Sequence, residues 1–152
     1  MSPSKVRLKT VTAKAELIRD MLAAIETLPL ASEADFSADP RMVAAGESFL
    51  RRSLEGLLDL GRHVLAKGFG KVVPDYAAVA DELAAQGILL PETAAKLRLM
   101  ARYRNRMVHF YDDVTPIELY GVLTRERADV EEVLEGIQRW LAAHPEACTD
   151  EL

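Results

Sequence analysis

A chain of 152 residues, 49% of them hydrophobic, has material for one buried core and little beyond it, so a single domain across residues 1–152 is expected. No apolar run approaches the roughly 20 residues of a spanning helix, and the charged start Lys5-Val6-Arg7 leads into Leu8-Lys9-Thr10 rather than an apolar stretch. Membrane and secretory readings are therefore set aside in favour of a cytosolic protein. The net charge of −5 argues against wholesale wrapping of nucleic acid, and the lone Cys148 excludes an intramolecular disulfide.

Apolar residues recur at three- and four-residue intervals in nearly every long segment, and no stretch sustains the alternation of a half-buried strand. The expected fold is all-α, an antiparallel bundle of four long helices plus one short helix. The first covers about residues 5–28, with Val11, Ile18, Leu22 and Ile25 on one stripe, and a mixed loop follows Pro29. Asp39-Pro40 is a start signal, Asp as N-cap and Pro at the first helical position. That second helix runs to about Lys67, before Gly68-Phe69-Gly70. Pro74-Asp75 opens a short helix to about Ala85, stopped by Gly87. Pro91 begins the next, to about His109, and Thr115-Pro116-Ile117-Glu118 reads as a capping box opening a last helix to about Ala143. Its stripe carries Leu123, Val130, Val133, Leu134, Ile137, Trp140 and Leu141.

The average charge conceals a local reversal. Thr93 to Tyr111 holds Lys96, Arg98, Arg102, Arg104 and Arg106 with no Asp or Glu, which leaves 14 basic against 24 acidic residues elsewhere. An anion is then repelled generally and attracted at this helix. The helix ends at His109, an imidazole beside guanidinium groups, which suits acid–base work next to an anion site. Arg104 and His109 fall about 140° apart on an ideal helix, flanking a ridge, while Asn105 and His109 share a face. Arg102 and Arg106 are candidate RNA-binding or interface residues, or plain surface charge. The three histidines, His63, His109 and His144, are far apart and form no metal-binding pair, so no metal and no cofactor are expected.

On the second helix Glu47, Arg51, Glu55, Asp59 and His63 recur every four residues. The simplest reading is an exposed ladder of i,i+4 ion pairs. The alternative has Glu55 or Asp59 facing the basic helix and positioning Arg104.

The string Arg104-Asn105-x-x-Val108-His109-x-Tyr111 resembles the R-x-x-x-x-H signature of HEPN ribonucleases, in the form of the HepT toxin branch. The likeness extends to the long second helix and to the Pro-x-Tyr turn at Pro74-Asp75-Tyr76. It implies a metal-independent RNA endonuclease toxin in which a 2′-hydroxyl attacks the adjacent phosphodiester. Arg104 and His109 would be catalytic, Arg104 holding the phosphate and His109 moving protons. Asn105 would orient His109 or the backbone, and Tyr111 would be AMPylated by a nucleotidyltransferase antitoxin. Added AMP would block the site by charge and bulk.

In-line transfer works best with a base on one side and an acid on the other, yet the string supplies one histidine. A homodimer would supply the second. Against the ribonuclease stand a non-catalytic subunit that binds a nucleotidyltransferase or nucleotide, and a plain scaffold in which Arg104 and His109 merely complement the helix dipole.

Overall fold

The computed structural model describes residues 4–109 and 113–150. Among these residues seven α-helices run in the order α1 (Leu8–Glu26), α2 (Glu33–Ala38), α3 (Pro40–Phe69), α4 (Tyr76–Ala85), α5 (Pro91–His109), α6 (Pro116–Arg125) and α7 (Arg127–Ala143). Among the described residues the only strands are β1 (Val6–Arg7) and β2 (Cys148–Thr149), paired in parallel with Val6 opposite Cys148. The all-α class expected from periodicity holds, and no described helix is long and apolar enough to cross a membrane. The four-long-plus-one-short count does not hold.

Two features account for the difference. The stretch after Pro29 is not a plain loop, because Ser32 caps α2 by accepting the Asp35 N–H at 3.3 Å, and Phe36 is fully buried as its anchor. The single helix expected over 116–143 is broken at Glu126. Leu119 and Leu123 of α6 pack towards α2 and α3, whereas Val130, Val133, Leu134 and Ile137 of α7 pack towards α3 and α5. One straight helix could not serve both directions, so the chain turns without a Gly or Pro to announce it.

The central stave is α3. Asp39 accepts the Arg41 N–H at 3.0 Å, with Pro40 at the first position, as the start signal implies. The helix runs two residues past Lys67 and stops where Gly70 takes a left-handed conformation, φ 65°. There the Gly70 N–H donates to Ala66 O and the Lys71 N–H to Leu65 O, closing the free carbonyls.

Leu50, Leu54, Leu57, Leu58, Leu60, Val64 and Leu65 bury the apolar face of α3 in a core shared with Ile18, Leu97 and Ile137. Gly61 sets how closely α4 approaches, since a Cβ there would lie 2.7 Å from Val79 Cγ1 and 3.0 Å from Leu83 Cδ1. That close approach brings the start of α4, with Tyr76, against α3 and α5.

Candidate active site

The last two turns of α5 and the Asp75–Tyr76 start of α4 enclose a cleft of about 370 Å³ lined by Arg62, Pro74, Asp75, Tyr76, Arg104, Asn105 and His109. Three string residues thus meet in one place, although Arg104 and His109 lie on different sides of the helix ridge. Val108 and His109 are exposed, whereas Met107 is buried and holds the end of α5 on the core. His109 in the last turn also sits at the negative pole of the helix. A wider apolar cleft of about 630 Å³, between α1, the end of α7 and β2, contains none of the string.

Arg104 is fixed from three directions. Its Nε and Nη2 donate to Glu55 Oε2 at 3.1 and 2.7 Å, and its Nη1 donates to Asn105 Oδ1 at 3.2 Å. The guanidinium also lies 4.8 Å from the centre of the Tyr76 ring. The Arg104 and Glu55 side chains are 19% and 23% exposed, so this ion pair is poorly screened. Among the described residues, two of the five guanidinium N–H groups, one on each Nη, have no acceptor and are open to a ligand. They make a fork suited to a phosphate.

Asn105 therefore serves Arg104 through its side chain. No hydrogen bond joins it to His109 among the described residues, so the orienting role expected from their shared face is not what the geometry displays. Tyr111, two positions past His109, lies outside the described residues.

The four-residue stripe of α3 is a set of tertiary contacts rather than an exposed ladder. Arg51 pairs with Glu55 at 2.8 Å, and this is its one i,i+4 ion pair among the described residues. Glu55 reaches Arg104 on α5, Asp59 accepts the Tyr76 hydroxyl at 2.6 Å, and His63 Nε2 accepts the Arg7 N–H at 3.1 Å. Burial, aided by Lys67, Arg7 and Lys14, lowers the His63 pKa and keeps the ring a neutral acceptor. Burial and the bond to Asp59 push the Tyr76 phenol up to about 12, so it stays protonated and donates.

The basic run of α5 looks different in three dimensions. Lys96 is paired with Asp129 and Glu132, Arg98 with Asp81, Arg104 with Glu55, and Arg106 with Asp113 and Glu118. Acids from α3, α4, α6 and α7 thereby neutralise most of a charge that is uncompensated along the sequence.

Arg106, a candidate for RNA, has both Nη groups and Nε engaged inside the chain. Its partner Glu118 was expected to reach back in a capping box. Thr115 does accept the Glu118 N–H at 3.1 Å, but the Glu118 carboxylate turns to Arg106. Arg102 is exposed and has no ion-pair partner among the described residues, but it does not line the cleft.

Sequence reasoning missed Arg62. On α3, it donates from Nε to Val73 O at 3.2 Å and from Nη2 to Pro74 O at 2.8 Å, with its guanidinium 4.8 Å from the Tyr76 ring centre. Its distance from the string along the chain left no signal to find it by. Among the described residues no three or more His, Cys, Asp or Glu side chains are grouped to hold a metal ion.

An all-helical domain with an Arg–Asn–His cleft at the end of its penultimate long helix defines a class, and sequence comparison narrows it. Residues 17–137 match the family described as Ribonuclease HepT-like, and the chain belongs to that family. The tRNA nuclease HepT of Aphanizomenon flos-aquae (strain 2012/KM1/D3) is 28% identical over 115 residues, covering 75% of this chain and 78% of that protein.

The fold is also that of a tri-AMPylated Shewanella oneidensis HEPN toxin solved in complex with its MNT antitoxin. There the TM-score is 0.78 at 18% identity, with 86% of this chain and 97% of that one covered. A cytosolic protein of unknown function from Bacillus subtilis, YutE, superposes with a TM-score of 0.79 at 16% identity, covering 97% and 99% of the two chains.

Proposed function

We propose that this chain is the toxin of a toxin–antitoxin pair and acts as a metal-independent RNA endonuclease. The observation that carries the reading is the cleft in which Arg104, held by Glu55 and Tyr76, opens a two-N–H fork beside Asn105 and exposed His109. The RNA 2′-hydroxyl attacks the adjacent phosphorus, and the bond to the 5′-oxygen breaks. The proton lost by the nucleophile passes to a base, and an acid protonates the leaving 5′-oxygen, so the products are a cyclic phosphate end and a free 5′-hydroxyl. Arg104 stabilises charge building on the phosphate oxygens, and His109 moves one of the two protons.

The other proton calls for a second histidine, which a homodimer provides. Exposed apolar area supports one: Leu99 on α5 and Ile117 at the start of α6 are 60% and 67% exposed. Leu99 and Arg106, seven positions apart, share a helix face, and Arg106 is bonded to Glu118, the neighbour of Ile117.

Silencing follows if a nucleotidyltransferase antitoxin adds AMP to Tyr111, two positions past His109 in the sequence, where an added anion and purine would compete with RNA by charge and bulk. The AMPylated state of the Shewanella toxin supports that reading. The non-catalytic reading has one observation in its favour, the prior engagement of Arg104 by Glu55. RNA cleavage by the purified chain distinguishes them, and a single 2′-deoxy substitution at the cut position should then abolish it; persistent cutting at that position would overturn the 2′-hydroxyl mechanism. Intact mass after incubation with the antitoxin and ATP should rise by whole AMP units on Tyr111, and a silenced complex with an unmodified Tyr111 would refute that part.

A further inference from the structure

The cleft contains a second guanidinium that the family string does not include. Arg62 and Arg104 each lie 4.8 Å from the centre of the Tyr76 ring, which puts the two cations less than about 10 Å apart. They are held differently. Arg104 is matched by the Glu55 carboxylate, while the polar partners of Arg62 among the described residues are two carbonyl oxygens, Val73 O and Pro74 O. Carbonyls orient a guanidinium without cancelling its charge. Asp75 also lines the cleft; its Oδ1 accepts the Ala78 N–H at 2.9 Å, so its charge faces the positive pole of α4, and it makes no ion pair with Arg62. Asp59 is taken by the Tyr76 hydroxyl and by Lys14 at 3.9 Å.

Among the described residues, three of the five N–H groups of Arg62 have no acceptor, two on Nη1 and one on Nη2. Two like charges held around one ring repel each other until anions enter between or beside them. A nucleic-acid strand brings a regular series of such anions.

We infer that Arg62 binds a second phosphate of the RNA, one flanking the phosphate held by Arg104, so that the cleft is a two-phosphate site with Tyr76 as the shared platform. This rests on the ribonuclease reading above and adds to it a residue and a subsite. The arrangement divides the work. Glu55 fixes Arg104 for the reacting phosphate, and Arg62, which has no ion pair among the described residues, adds the attraction that draws the strand in. It also explains how a chain whose basic helix is largely neutralised by its own acids can hold a polyanion.

The test uses the full chain with His109→Ala, so that RNA is not consumed, and measures binding of unfractionated tRNA across a series of salt concentrations. Adding Arg62→Gln should weaken binding and reduce the slope of log K against log salt by about 1, the signature of one lost phosphate contact. Arg62→Lys should restore the slope, since a point charge suffices for phosphate although it cannot reproduce both carbonyl bonds.

A strut that only ties α3 to the 71–75 connection would behave otherwise: both variants would lower the melting temperature and neither would change the slope. An unchanged slope for Arg62→Gln, alongside a reduced slope for Arg104→Gln, would overturn the second subsite and leave the ribonuclease reading intact. Absence of tRNA binding by every form would overturn both. Should Arg62→Gln lose its helical circular dichroism, Arg62→Met, which keeps an unbranched apolar stem, is read in its place by the same criteria.

Discussion

Glu55→Gln separates two roles that the ion pair could have. The carboxylate receives two charged hydrogen bonds from Arg104, at 3.1 and 2.7 Å, and one from Arg51 at 2.8 Å. Hydrogen bonds to charged groups contribute about 1.5–3 kcal/mol each. Glutamine keeps one acceptor oxygen, so a loss of about 2 kcal/mol is expected, less than the sum of the bonds. In a chain of this size that corresponds to about 4–8 °C in the melting temperature, read by circular dichroism.

The effect on cleavage follows from geometry. With Glu55 neutral, Arg104 keeps Asn105 and the Tyr76 ring but loses the partner that sets its angle. Displacements of about 1 Å in a positioning group can cost 100-fold, so kcat/KM should fall by about 10- to 100-fold. The loss should also vanish in an Arg104→Ala background, because the two residues act as one unit. A Glu55→Gln chain that cleaves RNA as fast as or faster than the parent would show that Glu55 competes with the phosphate rather than positions the guanidinium, and would refute the reasoning.

Tyr76→Phe removes the bond to Asp59 but keeps the ring under both guanidinium groups, so it should lower stability by about 1.5–2 kcal/mol and leave cleavage within a few-fold of the parent. Tyr76→Leu, which loses the ring as well, should cleave much more slowly, and equal activity in the two variants would argue against the platform. Gly61→Ala should destabilise by about 1–3 kcal/mol, because the new methyl meets Val79 at 2.7 Å; an unchanged melting temperature would contradict the close approach of α4.

The folded chain holds His63 below its ordinary pKa of 6.5, chiefly by burial, so the neutral ring stabilises the fold above about pH 6.5. That contribution is lost as the pH falls from there through the lower folded value. His63→Gln retains an acceptor for the Arg7 N–H and should lose less melting temperature than the parent between pH 7 and 5. Parallel curves would show that His63 does not couple to folding.

The legible parts of this molecule are those written in local spacing. The Asp39-Pro40 start, the Asp75 cap, the Thr115 cap and the extent of α5 are all properties of a few adjacent residues, and each appears where its spacing puts it. The α2 helix had a signal of the same kind, Ser32 three residues before Asp35 with Phe36 beside it, but one helical turn or so carries too little periodicity to stand out. The break at Glu126 had no local signal, since the direction of packing changes there while the residues remain helix-forming.

The site divides in the same way. Arg104, Asn105 and His109 were legible because they are contiguous on one helix. The stripe of α3 was legible as a pattern, with Glu55 as a possible partner of Arg104, but its contacts lie on four other elements and spacing alone favoured the exposed ladder. The cancelling of the basic run and the lack of an ion pair for Arg62 among the described residues depend on which acids arrive from elsewhere in the fold, and no linear charge count contains that.

The central claim is that Arg104 and His109 make this chain an RNA endonuclease. Its most direct test is cleavage of tRNA by the purified chain beside Arg104→Ala and His109→Ala, with circular dichroism to establish that all three are folded. Cleavage by the parent in the presence of a metal chelator, with loss of at least 100-fold in each folded variant, is the result predicted. Equal cleavage by parent and variants would place the activity elsewhere, and no cleavage by the folded parent would contradict the claim outright.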